Sequence, residues 1–383
     1  MFPHQQSQTG EHKIMEDRLA QNEMFVILLT CDQTTGFVLI PHIGVQRLTL
    51  LVGLVLIGTS LYGFFIRHRT MGAVAVVFTL VIGIFSLPKA VAMEGANPEQ
   101  GLLAVEQSRY AEIRVVDREE GRYLLIDGGS HSAADTATWR SVIPYVNVID
   151  LTKEYFAEPG SVLVIGLGGG STVKSFAHDG WKVSAVEIDP VVTRMAQKYF
   201  GLKDDEAKIY PMDGRQFLTA NRSTYEVVVM DAYGSSFIPF HLISEEAFGL
   251  LRSHLAGNGV LAVNLQCVGW HDQVVNSVAA TLKKHFKHVL ALPIAEPPDQ
   301  FGNLVLFASD RPLDLGKEPP VPTDRFSPEY DRAHAWDNRF QPDTEGAQIL
   351  TDDLNPVDTW SGRINFAARK LLHTSIDKQG IAW

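Results

Sequence analysis

Short apolar segments alternate with helical segments through the middle of this 383-residue chain. The apolar segments are residues 162–165, 182–188, 207–210, 225–230 and 259–265, and helical patterns begin near residues 171, 190, 214, 244 and 272. Strands that are apolar along their whole length are typical of a parallel sheet with helices on both faces. Residues 288–292 and 303–308 predict an antiparallel hairpin at one edge, because only Pro-rich turn sequence separates them. The pattern predicts an α/β fold with a Rossmann-like sheet.

The turn after the first of these strands is rich in glycine. Gly166, Gly168 and Gly170 lie between the strand and the next helix, in the sequence Ile-Gly-Leu-Gly-Gly-Gly-Ser. Glycines at such a turn let the backbone approach a ligand, and the helix N-terminus presents free N–H groups. We therefore expect these three glycines to bind a cofactor or co-substrate.

Carboxylates stand at the ends of the next three strands. Glu187 ends the second strand, Asp213 follows the third and Asp231 ends the fourth. An open α/β sheet binds ligands at these carboxyl ends, and an acidic residue about 20 positions past the first glycine suits ribose hydroxyls. The three residues therefore predict a nucleoside site. Asp189 precedes Pro190 and is expected to cap the following helix instead.

The N-terminal part of the chain has a different character. Residues 44–93 contain no acidic residue, and within them residues 48–66 and 72–88 are uncharged stretches of 19 and 17 residues. A membrane span needs about 20 apolar residues, so the two stretches predict a transmembrane hairpin and a multi-pass protein of the inner or cell membrane. Two alternatives stay open, namely two buried helices of a soluble core and an internal signal peptide that ends near residues 90–92.

Five segments are predicted along the chain. They are a polar N-terminal tail (1–46), the two-helix transmembrane hairpin (47–93), a small β region (106–160), the Rossmann-like catalytic domain (161–310) and a Pro-rich linker with a C-terminal helix (311–383). In the small β region, residues 111–116 and 123–126 predict a β-hairpin and residues 138–151 a helix. The C-terminal helix is expected at residues 364–373.

An excess of acidic residues limits the partners of the chain. It has 44 Asp and Glu against 33 Lys and Arg, which gives a formal net charge of −11. This balance argues against a nucleic-acid partner, because phosphates are bound by basic residues. Cys31 and Cys267 are the two cysteines, too few for a disulfide framework and without the spacing of a zinc site. No nucleic acid and no metal are expected.

Several motifs between residues 108 and 308 belong together. They are Ser108-Arg109-Tyr110, Leu125-Ile126-Asp127-Gly128, the glycine turn with its preceding strand, Val186-Glu187-Ile188-Asp189-Pro190, Asp213-Gly214-Arg215-Gln216-Phe217, Asp231-Ala232-Tyr233 and Ile238-Pro239-Phe240-His241-Leu242. This set resembles the spermidine synthases, or polyamine aminopropyltransferases, whose fold is the class I S-adenosylmethionine-binding fold. With the apolar N-terminal segment, the chain is most similar to membrane-fused bacterial spermidine synthase-like proteins.

The resemblance implies a reaction and roles for the residues named above. An aminopropyl group would pass from decarboxylated S-adenosylmethionine to a small, putrescine-like amine, releasing methylthioadenosine. Glu187 would hold the ribose, Asp213 the adenine, and Asp231 would be the catalytic acid or base. Tyr233 is expected to assist Asp231 by hydrogen bonding, and Phe237 and Ile238 to line the methylene chain of the amine. A homodimer is compatible with this assignment.

Some positions depart from the family pattern. Gly169 stands where the family has an acidic residue in the glycine turn, and no second acidic residue follows shortly after Asp231. The family's Tyr-His pair appears as Trp139-Arg140, and a glutamine of the hairpin appears as His131. A diamine carries two positive charges, so we expect His131 and Asp135 to contribute to binding it.

The sequence leaves open two other functions and the membrane orientation. The N–H of Gly169 near a helix N-terminus suits a carboxylate, which favours a methyltransferase that uses intact S-adenosylmethionine. A non-catalytic nucleoside-sensing membrane protein is the alternative from another class. Arg67 and Arg69 favour a cytosolic hairpin turn with both termini outside, whereas a cytosolic donor requires the catalytic domain in the cytoplasm, where we expect it.

Overall fold

The computed structural model describes residues 45–67, 96–234, 238–294, 298–316, 318–325 and 327–377. These residues divide into two compact units, residues 45–67 with 107–112 and residues 96–106 with 113–377. The five segments predicted from the sequence stay a prediction. All the residues of the candidate site described below belong to the second unit.

A small sheet has four strands in the order β1-β2-β3-β4. The strands are β1 (Leu102–Gln107), β2 (Glu112–Arg118), β3 (Gly121–Ile126) and β4 (Gly129–Ala134). β2 and β3 pair antiparallel and form the hairpin that the sequence predicts. β1 begins before the predicted small β region, whose first residue is 106. β4 has no apolar alternation in its Gly-Ser-His-Ser-Ala-Ala sequence, and it forms through its backbone pairing with β3.

A seven-stranded mixed sheet follows, in the order β10-β11-β9-β8-β5-β6-β7. Its strands are β5 (Ser161–Ile165), β6 (Lys182–Val186), β7 (Lys208–Tyr210), β8 (Tyr225–Met230), β9 (Leu255–Val268), β10 (His288–Pro293) and β11 (Phe301–Ser309). β5 to β9 pair in parallel, while β11 is antiparallel to both β9 and β10. The predicted parallel sheet with an antiparallel hairpin at one edge is confirmed.

Helices cover this sheet and continue to the C-terminus. They are α1 (Val45–Arg67), α2 (Tyr145–Ile149), α3 (Ser171–His178), α4 (Pro190–Tyr199), α5 (Gly214–Ala220), α6 (Glu245–Ser253), α7 (Gln273–Leu282), α8 (Pro328–Asp337) and α9 (Val357–Asp377). Short 3₁₀ turns lie at Pro98–Gln100, Asp150–Tyr155 and Phe240–Leu242. Asp189 caps α4 by accepting a hydrogen bond from Val191 N, as predicted.

The core lies on both faces of the large sheet. In β5, Leu163 and Ile165 pack into one apolar cluster, while Val162 and Val164 pack into another. Successive side chains of a strand point to opposite faces, so a strand covered on both sides must be apolar at every position. Each fully buried side chain of this kind stabilises the fold by about 1.5–3 kcal/mol. This burial fixes where the strands end, and therefore where the site residues stand.

The apolar N-terminal stretch at residues 48–66 forms helix α1. In the part of the chain that the structure describes, no helix is both long enough and apolar enough to cross a membrane. The expectation of two transmembrane helices is thus unsupported for these residues. The second predicted span, residues 72–88, lies outside the described residues.

Two other expectations about helices differ from the structure. The helix predicted at residues 138–151 is shortened to α2, because Trp139 has a positive φ of 59° and Pro144 allows the helix to begin only after it. The stretch expected to be a Pro-rich linker contains α8, which Pro328 starts as its first residue and Ser327 caps. Pro328 therefore marks the start of a helix and not a loop.

Candidate active site

The glycine turn joins β5 to α3 at the carboxyl edge of the sheet. Gly166, Gly168 and Gly170 have φ values of +96°, +52° and +75°, which residues with a side chain rarely adopt. The N–H of Gly166 donates to the carbonyl of Val186 on the neighbouring strand at 2.9 Å. The turn therefore lies at the end of β5 beside the end of β6, as the sequence predicts.

Glu187 follows β6 and contacts this turn directly. Its Oε2 accepts from Leu167 N at 3.0 Å and its Oε1 from Asp189 N at 2.9 Å. Burial raises the pKa of Glu187, while these backbone hydrogen bonds oppose the rise. A carboxylate has about four acceptor sites, so these backbone contacts leave part of its capacity for a ligand hydroxyl.

Asp213 precedes α5 and is already used within the fold. Its Oδ1 accepts from Gln216 N at 3.0 Å, which caps the helix, and its Oδ2 lies 3.0 Å from Nε2 of His241. The hydrogen bond with His241 lowers the pKa of Asp213. The carboxylate therefore stays ionised, and its predicted contact with adenine stays a prediction.

Two side chains donate hydrogen bonds to the carboxylate of Asp231, which follows β8. The hydroxyl of Tyr145 donates to Oδ2 at 2.9 Å, and Nδ2 of Asn264 donates to Oδ1 at 2.7 Å. Asn303 in turn donates to Oδ1 of Asn264 at 3.0 Å, which fixes the orientation of the Asn264 amide. Residues from α2, β9 and β11 thus converge on one carboxylate at the end of β8.

Burial sets the proton affinity of this carboxylate. It raises the pKa of Asp231 to about 6, while the hydrogen bonds from Asn264 and Tyr145 act in the opposite direction. At neutral pH the group is mostly ionised and is a stronger base than an exposed aspartate, which suits general-base chemistry. Burial also raises the pKa of Tyr145 well above its usual range, so its hydroxyl stays protonated and remains a donor.

Tyr145 was not singled out from the sequence. Its hydroxyl nevertheless donates to Oδ2 of Asp231. Trp139 lies with its ring under the guanidinium of Arg122, 5.4 Å from the centroid, and against Gly201. The assignment of the family's Tyr-His pair to Trp139-Arg140 stays a prediction. The sequence feature that could have identified Tyr145 is its position directly after Pro144, at the start of a short helix.

The hydrogen bond from Tyr145 gives a pH-dependent prediction. In the wild type, kcat/KM should fall as the pH decreases through about 6, because Asp231 becomes protonated. A hydrogen bond to a charged group is worth about 1.5–3 kcal/mol and one pKa unit corresponds to about 1.4 kcal/mol. Tyr145→Phe should therefore move this acidic limb upward by about one to two pH units, as measured in a pH–rate profile.

Tyr155 provides the matched control for this variant. Its hydroxyl is buried and has no hydrogen-bond partner among the described residues. Tyr155→Phe should therefore leave the acidic limb where it is in the wild type. If Tyr145→Phe also leaves the limb unchanged, the hydrogen bond does not control the ionisation of Asp231.

The structure brings two further predicted residues to this site. The hydroxyl of Tyr233 donates to the backbone carbonyl of Asn264 at 2.9 Å, so the ring is held beside the Asp231 network. The His131 ring of β4 lies edge-on to Tyr233, with centroids 6.4 Å apart. The small sheet therefore carries His131 to the catalytic end of the large sheet. The assisting role of Tyr233 and amine binding by His131 stay predictions.

The other residues predicted to bind the amine are placed differently. Asp135 is exposed and accepts hydrogen bonds from Ala137 N, Thr138 N and the Thr138 hydroxyl, so its carboxylate stabilises a turn. The hydrogen bond from the Thr138 hydroxyl is the main cause that lowers the pKa of Asp135. Ile238 is fully buried in the apolar core. Phe237 lies outside the described residues.

The backbone N–H of Gly169, which favoured a methyltransferase, is already hydrogen-bonded within the chain. The N–H of Gly169 donates to the Ser132 hydroxyl at 2.8 Å. A Cβ at Gly169 would lie 3.0 Å from the Phe200 ring and 3.1 Å from Cβ of Ser132, so a larger residue needs a rearranged neighbourhood. Because this N–H already has an acceptor within the chain, it no longer points to a ligand carboxylate.

Several known proteins resemble this chain in sequence or in fold. Residues 146–313 match the spermine/spermidine synthase domain. Spermidine synthase of Schizosaccharomyces pombe is 27% identical over 239 residues, covering 60% of this chain and 77% of that protein. A polyamine aminopropyltransferase of Oceanobacillus iheyensis is 25% identical over 350 residues, covering 85% of this chain and 62% of that protein.

A solved structure shares the fold. The crystal structure of a probable spermidine synthase from Corynebacterium glutamicum superposes with a TM-score of 0.53 at 17% sequence identity, covering 66% of this chain and 97% of that one. This likeness shows a class I S-adenosylmethionine-type α/β fold with a mixed sheet. The matched domain and the named relatives, in turn, indicate that this chain is a transferase similar to the spermidine synthases.

Proposed function

We propose that this enzyme transfers an aminopropyl group from decarboxylated S-adenosylmethionine to a nitrogen of a small amine. The observation that carries the proposal is the buried carboxylate of Asp231 between the Tyr145 and Asn264 donors at the end of β8. An amine has to lose a proton before its lone pair can attack carbon, and this carboxylate has the proton affinity to accept it. The matched domain and the named relatives support the same reaction.

The reaction balances with Asp231 as the base. The acceptor ammonium gives one proton to the Asp231 carboxylate, and the freed lone pair attacks the propyl carbon next to the sulfonium. The new C–N bond forms as the C–S bond breaks, and the electron pair of that bond stays on sulfur. The products are neutral methylthioadenosine and an extended ammonium. Tyr145 and Asn264 hold the carboxylate in one orientation, which positions the base to accept the proton.

We assign the donor nucleoside to the edge formed by the glycine turn, Glu187 and Asp213. Glu187 would accept the ribose hydroxyls with the acceptor sites that its backbone contacts leave open. Asp213, ionised and beside His241, would meet the adenine amino group. The Glu187 side chain needs no rearrangement to meet the ribose, because backbone hydrogen bonds already hold its carboxylate in place.

Mass spectrometry of the products tests the proposal. The purified chain is offered decarboxylated or intact S-adenosylmethionine together with a panel of small amines. We expect methylthioadenosine and an amine extended by one aminopropyl group, formed with the decarboxylated donor. If a methylated product forms from intact S-adenosylmethionine instead, the proposal is wrong and the chain is a methyltransferase.

We further propose that the chain associates with a membrane through its N-terminal part, with the catalytic domain in the cytoplasm. Exposed apolar side chains of α1 support this, with exposed fractions of 64% for Val55, 61% for Leu56 and 70% for Tyr62. Contiguous exposed apolar surface is typical of protein or membrane contacts. Homodimer formation stays a prediction from the family resemblance.

Membrane association predicts the behaviour of the full chain on cell fractionation. The chain should sediment with membranes, resist a high-salt wash and be released by detergent, because apolar contacts are insensitive to ionic screening. Recovery in the supernatant after the salt wash would contradict the proposal. Protease protection of the C-terminal epitope in sealed vesicles then reports the orientation.

A further inference from the structure

A segment near the C-terminus contacts the turn that carries His241. This segment, residues 350–355, is named the C-terminal strap here; it precedes α9 and follows the matched domain. Leu350 anchors the strap, because its side chain is fully buried and its N–H donates to the Thr281 hydroxyl at 3.0 Å. The carbonyl of Leu350 accepts from Glu245 N at 2.7 Å. The strap is therefore attached to two helices of the large sheet, α6 and α7.

Hydrogen bonds to two backbone carbonyls hold the turn Phe240–Leu242 in place. Arg215 of α5 donates from Nη1 to the carbonyl of His241 at 2.8 Å. Asn355 of the strap donates from Nδ2 to the carbonyl of Phe240 at 3.1 Å. The first donor lies 26 positions before its acceptor and the second 115 positions after. The position of the turn therefore depends on α5 and on the strap together.

The strap also fixes the orientation of the Arg215 guanidinium. Asp352 accepts from Arg215 twice, at 2.7 Å from Nη2 to Oδ2 and at 3.3 Å from Nη1 to Oδ1. The Ser244 hydroxyl donates to the same Oδ1 at 2.5 Å. Burial opposes the ionisation of Asp352, but the hydrogen bonds from Ser244 and Arg215 lower its pKa, so the carboxylate is charged. A planar guanidinium that meets both oxygens of a carboxylate has one preferred direction, which here leaves Nη1 on the carbonyl of His241.

The backbone of this turn sets the place of the His241 ring, which contacts Asp213. Nε2 of His241 lies 3.0 Å from Oδ2 of Asp213. The His241 side chain is 36% exposed, so the core holds little of it. A displacement of the turn by about 0.5–1 Å would take this contact beyond hydrogen-bonding distance. Asp213 would then lose the hydrogen bond that lowers its pKa and orients its carboxylate.

We propose that Asp352 and Asn355 are positioning residues for the donor nucleoside, because the strap holds the His241 turn against Asp213. The inference rests on the proposed function, which assigns Asp213 to the adenine. The strap acts on the donor through Arg215 and the turn. The amine is assigned to a different carboxylate, at the end of β8, so amine binding should not depend on the strap.

Two variants with opposite changes of charge test this role in the full chain. Asp352→Asn removes a negative charge and the ion pair with Arg215, but it keeps an oxygen for the Ser244 hydroxyl. Asn355→Asp adds a negative charge and loses the N–H donor to the turn, but it keeps the oxygen that accepts from Val357 N. The fold is expected to persist in both variants, as checked by thermal melting.

Positioning predicts the same result for both variants. The KM for decarboxylated S-adenosylmethionine should rise by about 3- to 10-fold, the effect of losing one hydrogen bond. The KM for 1,4-diaminobutane and kcat should stay near their wild-type values. A long-range effect of charge on the cationic donor would instead raise the donor KM in Asp352→Asn and lower it in Asn355→Asp, and this result would overturn the proposal.

Asp353→Asn is the matched control, because Asp353 is the neighbouring carboxylate of the strap and is exposed. It makes the same change of charge as Asp352→Asn and should leave the donor KM unchanged. The proposal is wrong if both test variants keep the wild-type donor KM, even with a lower melting temperature, because the strap then only stabilises the fold. Equal rises of the donor KM and the amine KM would also overturn it.

Calorimetry with methylthioadenosine separates this result from a failure of aminopropyl transfer. This ligand contains the same nucleoside as decarboxylated and intact S-adenosylmethionine, and its binding needs no amine. If the wild type transfers no aminopropyl group, its affinity for methylthioadenosine can still be compared with that of the two variants. Weaker binding by both variants supports the positioning role, and equal binding, or no binding by the wild type, overturns it.

Discussion

Replacing Asp231 with asparagine is expected to lower the rate of aminopropyl transfer by about 10²–10⁴-fold, the usual contribution of a general base. Asparagine has nearly the same shape and still offers Oδ1 to Asn264, but it cannot accept a proton from the amine. Donor affinity should change little, because Asp231 is assigned to the acceptor nitrogen. The measurement is kcat and the donor dissociation constant of the full chain.

The stability of this variant distinguishes lost chemistry from lost fold. The pKa of Asp231 is raised in the folded state, so folding is favoured below the unfolded value near 4 and loses this contribution as the pH rises through about 6. Above that pH, Asp231→Asn should therefore not lower the free energy of unfolding, and urea titration measures it. Asp353→Asn, at an exposed carboxylate, should leave both rate and stability unchanged.

A small loss of rate in Asp231→Asn would contradict the assignment of Asp231 as the general base. If Asp231→Asn keeps more than about a tenth of the wild-type rate and unfolds normally, Asp231 does not accept the proton. A large loss of rate together with a collapse of stability would instead assign Asp231 to the fold.

Replacing Gly166 with alanine is expected to lower the free energy of unfolding by about 2–5 kcal/mol and to abolish donor binding. Gly166 has a φ of +96°, and a Cβ there would collide with the backbone of Asp231 and Ala232. Backbone atoms cannot turn away as a side chain can, so the end of β8 has to move. The displacement would shift the glycine turn and the catalytic carboxylate together.

Gly128 gives the control that separates backbone strain from collision. It has a φ of +79°, but a Cβ there would meet nothing within 4 Å. Gly128→Ala should therefore cost only about 1–2 kcal/mol, the strain of a left-handed backbone. If urea unfolding shows the same loss of unfolding free energy for both variants, the close approach of the β5 and β8 ends does not contribute to the effect of Gly166→Ala.

The sequence predicts the large sheet well because its signal is local. Strands such as β5 and β8 are apolar at every position, and the glycine turn interrupts the pattern where a strand gives way to a helix. Asp189 before Pro190 identifies a helix cap from two adjacent residues. Periodicity, caps and turns all depend on neighbours within a few positions, so they can be recognised in the sequence alone.

The small sheet and α8 were predicted less well, for physical reasons. β4 has a Gly-Ser-His-Ser-Ala-Ala sequence whose side chains give no strand signal, and only its backbone pairing with β3 makes it a strand. α8 begins at a proline inside a stretch with several prolines, where loop and helix start look alike. In both cases, partners distant in the chain decide the conformation.

Local sequence thus determined the α/β sheet, the glycine turn and the acidic residues at the strand ends. Tertiary structure decided which groups serve Asp231. Tyr145 lies 86 positions before it and Asn264 33 positions after it, yet both donate to its carboxylate. No local pattern marks such pairs, because the burial of the sheet brings α2, β9 and β11 to one edge. That burial also raises the pKa of Asp231 and turns an ordinary aspartate into a base.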